Sequence, residues 1–108
     1  MLWKRKREIG YVLASKRVGV DRMPVRFMYR ESPDNDQDSG WRVFAGDETQ
    51  EFTDNPDNFA IYNPETICEI DPDVEKILYH KPVGFAYERA DATEPFVESE
   101  WEAPDEED

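Results

Sequence analysis

Short β-prone runs separated by turn-forming segments are the feature that most limits the folds open to this chain. Five such runs occur, and none is longer than seven residues: 11–15, 25–30, 41–45, 59–62 and 83–89. β-branched and aromatic residues favour extended structure, and runs of this length are typical of strands rather than of independent helices. The pattern therefore predicts a sheet built from short strands.

The second run predicts one buried face and one wet face, because successive side chains of a strand point to opposite sides. Two sets alternate along it: Val25, Phe27 and Tyr29 on one face, and Arg26, Met28 and Arg30 on the other. The acids and turn formers of residues 31–40 then predict a surface loop. We expect the third run, which starts at Trp41, to pair with the second as a long-looped hairpin.

Helix-start signatures lie between the fourth and fifth runs. Asn63 precedes Pro64 and Asp71 precedes Pro72, the order of a capping residue and a proline in the first turn. Five apolar residues keep close to helical spacing through both segments: Ile67, Ile70, Val74, Ile77 and Leu78. Asp47 is expected to cap another short helix that ends near Asp54, and residues 18–24 are expected to form a loop.

Together these elements predict an α+β fold in a single small domain. The sheet is expected to be antiparallel or mixed, with four to five strands and two or three short helices on one side. A small all-β barrel is the alternative.

Charge divides the chain into an arm, a domain and a tail. Residues 1–30 carry a net charge of +7, whereas residues 31–108 carry −20, which gives the overall −13. We interpret residues 1–9 as a basic N-terminal arm, residues 10–89 as the α+β domain, and residues 90–108 as an acidic and partly disordered tail. Phe96 and Trp101 are the tail residues with the side chains to pack or bind.

The single cysteine and single histidine limit the chemistry of the chain. Cys68 has no second cysteine for an internal disulfide, and with His80 it cannot form a Cys/His zinc site, so we predict no metal and no cofactor. A reducing cytoplasm is the expected compartment. No run of about 18 apolar residues or more predicts a membrane span, and residues 1–14 do not have the pattern of an export signal.

No motif for catalysis is present, and we predict that the chain is not an enzyme. His80 lacks a recognisable nucleophile partner, and the five glycines are scattered singly rather than grouped in a phosphate-binding loop. Residues 34–38 resemble the start of a calcium loop. However, Ser39 and Ala45 stand where an EF-hand needs glycine and a bidentate glutamate, so a solvated acidic turn is favoured.

The chain resembles the bacterial immunity-protein family thirty-three, formerly catalogued as a domain of unknown function. The resemblance covers about residues 10–89 and is carried by segments 11–16, 27–31, 38–41, 46–48 and 55–58, by Phe44, by segment 82–84, and by Glu88 and Arg89. It implies a cytoplasmic protein that neutralises a toxin by binding it tightly.

The acidic charge agrees with that expectation, since an acidic domain attracts basic protein partners and repels nucleic acid. The partner is therefore expected to be a protein, for example a basic toxin domain such as a nuclease, with no nucleic acid and no membrane. The predicted contact residues are Asp34, Asp36, Asp38, Trp41, Asp47 and Glu48. For Trp41 the alternative is a core position, because it begins a strand.

Two other functions stay open at this point. One is a housekeeping interaction domain whose acidity serves solubility alone. The other is an enzyme that uses two of the carboxylates of Asp47, Glu48 and Glu88 as acid and base, which requires that they meet in one pocket.

Overall fold

The computed structural model describes residues 8–102, in which six strands and four short helices are found. The strands are β1 (Tyr11–Ser15), β2 (Phe27–Arg30), β3 (Asp38–Phe44), β4 (Phe59–Tyr62), β5 (Phe85–Glu88) and β6 (Val97–Glu100). The helices are α1 (Lys16–Gly19), α2 (Gln50–Thr53), α3 (Pro64–Ile70) and α4 (Glu75–His80), with 3-10 turns at Pro56–Asn58 and Pro72–Val74. Most of the predicted basic arm, residues 1–7, and the end of the predicted tail lie outside the described residues.

The strands form one mixed sheet in the order β4-β1-β3-β2-β5-β6. β1 and β3 are parallel, and the other neighbours are antiparallel, including the predicted β2–β3 hairpin. The predicted α+β class is confirmed, although the sheet has six strands rather than four to five. An open sheet with packed helices excludes the all-β barrel.

A layer of helices covers one face of the sheet. Strand side chains from this face meet helix side chains in a core that contains Val12, Ala14, Met28, Trp41, Val43 and Tyr87 from the sheet, and Val18, Ile67, Val74 and Leu78 from α1, α3, α4 and the turn before α4. We call α1, α3 and α4 the helical layer. Two helical segments begin as predicted: α3 starts at Pro64 after Asn63, and the Asp71 carboxylate accepts a hydrogen bond from the Asp73 N–H.

β2 has the buried face that its alternation predicted, but its other face is half-buried rather than wet. Met28 is fully buried under the helical layer, whereas Phe27 and Tyr29 are half-buried on the opposite face. Alternation identifies two faces of a strand, but which face the helices cover depends on chain connections elsewhere. Here the helices cover the methionine, and the aromatic residues build a second apolar surface.

Two local predictions need correction. Thr49, not Asp47, caps α2, because its hydroxyl accepts the Phe52 N–H and the helix starts only at Gln50. Part of the predicted 18–24 loop is helical, since α1 extends to Gly19.

The acidic segment after Ala90 contributes a strand that the sequence did not predict. β6 pairs along its length with β5, and the N–H of Trp101 donates to the carbonyl of Gly84. Gly84 has a φ of +105°, a conformation that glycine adopts without strain. The C-terminal end of the described chain is thus held beside β2, where the Trp101 ring stacks on Tyr29 with 4.0 Å between ring centroids.

Candidate functional site

The face of the sheet opposite the helical layer carries a continuous row of aromatic rings. We call this side the open face and the row the aromatic band, which consists of Trp101, Tyr29, Phe27, Phe44, Phe59 and Phe52. Neighbouring ring centroids lie between 4.0 and 6.1 Å apart. Strand register explains the arrangement, because residues paired across β2 and β3, such as Phe27 and Phe44, point to the same side.

The open face is only partly covered in the described part of the chain. The helical layer lies on the other side, and only α2 touches the band, through the contact of Phe52 with Phe59. The rings of the band are half-buried, and Ile61 and Val97 on the two edge strands are 58% and 65% exposed. A row of half-buried rings flanked by exposed apolar side chains is a candidate binding surface.

At one end of the open face, the β2–β3 loop is fixed by a buried ion pair. The Asp38 carboxylate accepts hydrogen bonds from both terminal nitrogens of Arg42, at 2.9 and 2.8 Å, and from the N–H groups of Asp34 and Gly40. Glu31 also contacts the Arg42 guanidinium. Asp38 therefore holds the loop in place from inside.

The hydrogen bonds from Arg42 lower the pKa of Asp38 to about 2. Burial opposes this effect, and the N–H groups of Asp34 and Gly40 add to it. Next to this pair, burial raises the pKa of the Tyr29 phenol, and the charge of Glu31 contributes in the same direction. This end of the face therefore keeps Asp38 ionised and Tyr29 neutral at physiological pH.

Acid should remove the stabilisation that Asp38 provides. Its pKa is lower in the folded state than the ordinary 3.8, so its contribution of about 2 kcal/mol is complete above pH ~4 and is lost as the pH falls towards 2. We expect the difference in unfolding free energy between wild type and Asp38→Asn to shrink by about 2 kcal/mol between pH 6 and pH 2. Urea denaturation at each pH measures this. Asp36→Asn, at an exposed position of the same loop, is the control, and its free energy of unfolding should change with pH as that of wild type does.

Only part of the predicted contact loop faces solvent. Trp41 is 0% exposed in the core, where its indole N–H donates to the Leu78 carbonyl, so the alternative core interpretation describes its position. Asp38 is buried as well. Asp36 is exposed, and the side chain of Asp34 is 78% exposed although it lies 3.6 Å from Arg42. At this end, Asp34 and Asp36 therefore stay as proposed contact residues.

Asp47 and Glu48 lie at the other end of β3, roughly 20 Å away at the rise of an extended strand. Asp47 accepts hydrogen bonds from Arg17, and these lower the pKa of its carboxyl. Glu48 accepts hydrogen bonds from the Ser15 hydroxyl and from the N–H groups of Ala45 and Gly46. The structure thus places Asp34, Asp36 and Asp38 at one end of β3 and Asp47 and Glu48 at the other, with Trp41 buried in the core between them.

A cavity of about 520 Å³ opens at this second end, between α2 and the ends of β2 and β5. Phe27 and Phe44 of the aromatic band line it, together with Glu48 and Glu88. Two of the three carboxylates considered for catalysis therefore share one cavity, and Asp47 does not line it. Three donors already fix Glu48, which suits holding the turn after β3 better than transferring protons.

His80 and Cys68, the two other residues considered for chemistry, lie away from the cavity lining. His80 is exposed at the end of α4, and Cys68 is half-buried against the core. Within residues 8–102, no three His, Cys, Asp or Glu side chains are placed to hold a metal ion. No helix in that range is both long enough and apolar enough to cross a bilayer.

Sequence reasoning missed the aromatic band as a unit. The signal was present, because Phe27 and Tyr29 alternate along β2 and Phe44 ends β3. Strand register and the contribution of Trp101 from beyond β6 are needed to bring the rings together.

Comparison with known proteins gives one match. The family model described as the Immunity protein Imm33 domain matches residues 12–100, which takes in all six strands apart from Tyr11 at the start of β1. The match extends beyond the residues 10–89 expected from the sequence and includes β6. No curated protein and no solved structure gives a significant match.

Proposed function

Because this chain belongs to the Imm33 immunity protein family, we propose that it neutralises a protein toxin in the cytoplasm by direct, non-catalytic binding. The observation that carries the proposal is the aromatic band on the open face. Aromatic residues supply a large share of the affinity at protein interfaces when they become fully desolvated at the centre.

The size of the open face suits a standard interface. Six strands spaced by about 4.8 Å span roughly 24 Å from β4 to β6. A typical complex buries about 800 Å² on each partner, which corresponds to a patch roughly 28 Å across. A single toxin domain would therefore cover the band together with the exposed side chains of Ile61 and Val97 on the edge strands.

Charge defines the kind of toxin that fits. The net charge of −13, with −20 in residues 31–108, attracts a basic surface such as the active-site groove of a nuclease. Carboxylates at both ends of the open face, including the exposed Asp34 and Asp36, would lie where the toxin otherwise binds phosphates. Covering that groove is the proposed mechanism of neutralisation.

A lysine placed on the open face should weaken toxin binding, whereas a lysine beside the helical layer should not. The probe is the protein that copurifies in a one-to-one ratio with the tagged chain from its own cells. We expect Ile61→Lys to raise its dissociation constant by about ten-fold or more, because the added charge must be buried against a basic partner.

Val20→Lys is the matched control for this measurement. Val20 directly follows α1, is 63% exposed, and gives the same change of charge when replaced. Its dissociation constant should change by less than about three-fold, the size of a remote electrostatic effect. Equal weakening by both variants would remove the open face from the proposal. Recovery of a non-toxin partner would favour the housekeeping alternative.

A further inference from the structure

We infer that the cavity at the end of the aromatic band receives a lysine or arginine side chain of the toxin. The inference rests on the proposed function and names the chemistry of one contact within it. Two aromatic rings, four charged side chains and one exposed carboxylate without an ion pair within residues 8–102 make the cavity suited to such a group.

Aromatic rings form the floor. Phe27 and Phe44 both line the cavity, with their ring centroids 5.7 Å apart and their planes tilted by 41°. Aromatic faces attract the guanidinium or ammonium group of a side chain laid across them, and the attraction grows when the contact is desolvated. The long apolar stem of either side chain also packs on such a floor.

The arginines that line the cavity already have partners. Two arginines line it, but the guanidinium of Arg89 already pairs with Asp71 at 2.6 Å and with Asp73 at 2.9 Å. Arg26 donates to the carbonyls of Ala45 and Ala90, which turns two of its N–H groups to the backbone. Within the lining, Glu48 and Glu88 equal the two arginines in number, and Asp71 and Asp73 behind Arg89 bring the total to four carboxylates against two guanidiniums, so a cation is favoured over an anion.

Glu88 is the acceptor for this cation. It lies opposite Phe27 in the β2–β5 pairing, on the open face, and is exposed. Within residues 8–102 no ion pair engages its carboxylate. Glu48 is unsuited because three fixed donors occupy it. A cationic head group that reaches Glu88 therefore leaves its stem over the two phenylalanine rings.

Small-molecule titrations test the inference without the toxin. The probes are the amides of acetyl-arginine and acetyl-lysine, with acetyl-glutamine amide as the neutral comparison, followed by amide NMR spectra. We expect saturable shifts at Phe27, Gly46 and Glu88 with a dissociation constant on the order of 10 mM. The Glu88→Gln variant should bind at least about five-fold more weakly.

Glu100→Gln is the matched control, since Glu100 is exposed on β6 and its partner Phe85 packs towards the helical layer. In this variant the dissociation constants of the arginine and lysine amides should stay within about two-fold of the wild-type values. Shifts of equal size with the glutamine compound, no localised shifts, or an unaffected Glu88→Gln variant would each overturn the inference.

Toxin binding separates this inference from the proposed function. We expect Glu88→Gln to raise the dissociation constant for the copurified toxin by about ten-fold more than Glu100→Gln does. If Glu88→Gln has no effect while Ile61→Lys disrupts the complex, the cavity contact is wrong and the proposed function stands. If no toxin binds the wild-type chain, the proposed function fails whatever the titrations give.

Discussion

Replacing Trp41 with alanine is expected to lower the free energy of unfolding by about 3–5 kcal/mol. The side chain is completely buried, its ring lies 6.0 Å from that of Tyr87, and its N–H donates to the Leu78 carbonyl. Alanine leaves a cavity beneath α4 and a carbonyl without its donor. Domains of this size have about 5–15 kcal/mol of stability in total, so the variant should be close to unfolding at physiological temperature.

Urea denaturation followed by circular dichroism measures this loss, and Trp101→Ala is the control. Trp101 is half-buried on the open face and stacks on Tyr29. Removing an aromatic pair of this kind costs about 0.5–1.5 kcal/mol in addition to the cost of the apolar area that becomes exposed. If Trp41→Ala costs no more than Trp101→Ala, the assignment of Trp41 to the core of the domain is wrong.

Replacing Phe44 with alanine is expected to raise the dissociation constant for the toxin by about 100-fold or more. Phe44 is the centre of the aromatic band, because its ring contacts those of Phe27, Tyr29 and Phe59. Its removal takes away a ring at the middle of the proposed interface and loosens the three that surround it.

Phe85→Ala provides the comparison that separates binding from folding. Phe85 is half-buried in β5 but packs against the core on the helical-layer side. Both variants remove a half-buried phenylalanine ring from a strand, so both should unfold more easily. Binding is measured by calorimetry at a temperature where circular dichroism shows each variant folded. Equal losses of toxin affinity would place the interface away from the aromatic band.

Local chemistry explains what the sequence predicted well. A polar residue followed by proline marks a helix start within a few residues, and the starts after Asn63 and Asp71 are found in the structure, although only the Asp71 side chain makes a capping hydrogen bond. The apolar run of β1 likewise forms a strand over the predicted residues. These features depend on neighbours in the chain, which a single sequence displays.

Non-local pairing explains what was missed. The parallel pairing of β1 with β3 and the addition of β6 depend on segments far apart in the chain. β6 has the residues Val-Glu-Ser-Glu, all exposed, so its composition favours a disordered tail. Its backbone hydrogen bonds with β5 and the packing of Trp101 outweigh that composition.

Only the exposure of two candidate residues could be checked. The acidic, turn-forming sequence around Asp34 and Asp36 was enough to predict that they are exposed, and their contact with a partner stays a prediction. In sequence, Asp38 looked equivalent to Asp34 and Asp36. Its carboxylate is nevertheless directed inwards to Arg42. This ion pair joins residues four positions apart in β3, so it can be recognised only once the strand is known. The aromatic band draws on four elements, β2, β3, β4 and α2, and on the chain beyond β6, so no short motif reports it.

Cross-saturation NMR on the complex of the labelled chain with its copurified toxin tests the central claim most directly. Irradiating the toxin should attenuate the methyl signals of Ile61 and Val97, which are exposed on the open face, and leave those of Val20 unchanged. Attenuation of Val20 with Ile61 and Val97 unaffected would place the toxin beside the helical layer and contradict the account.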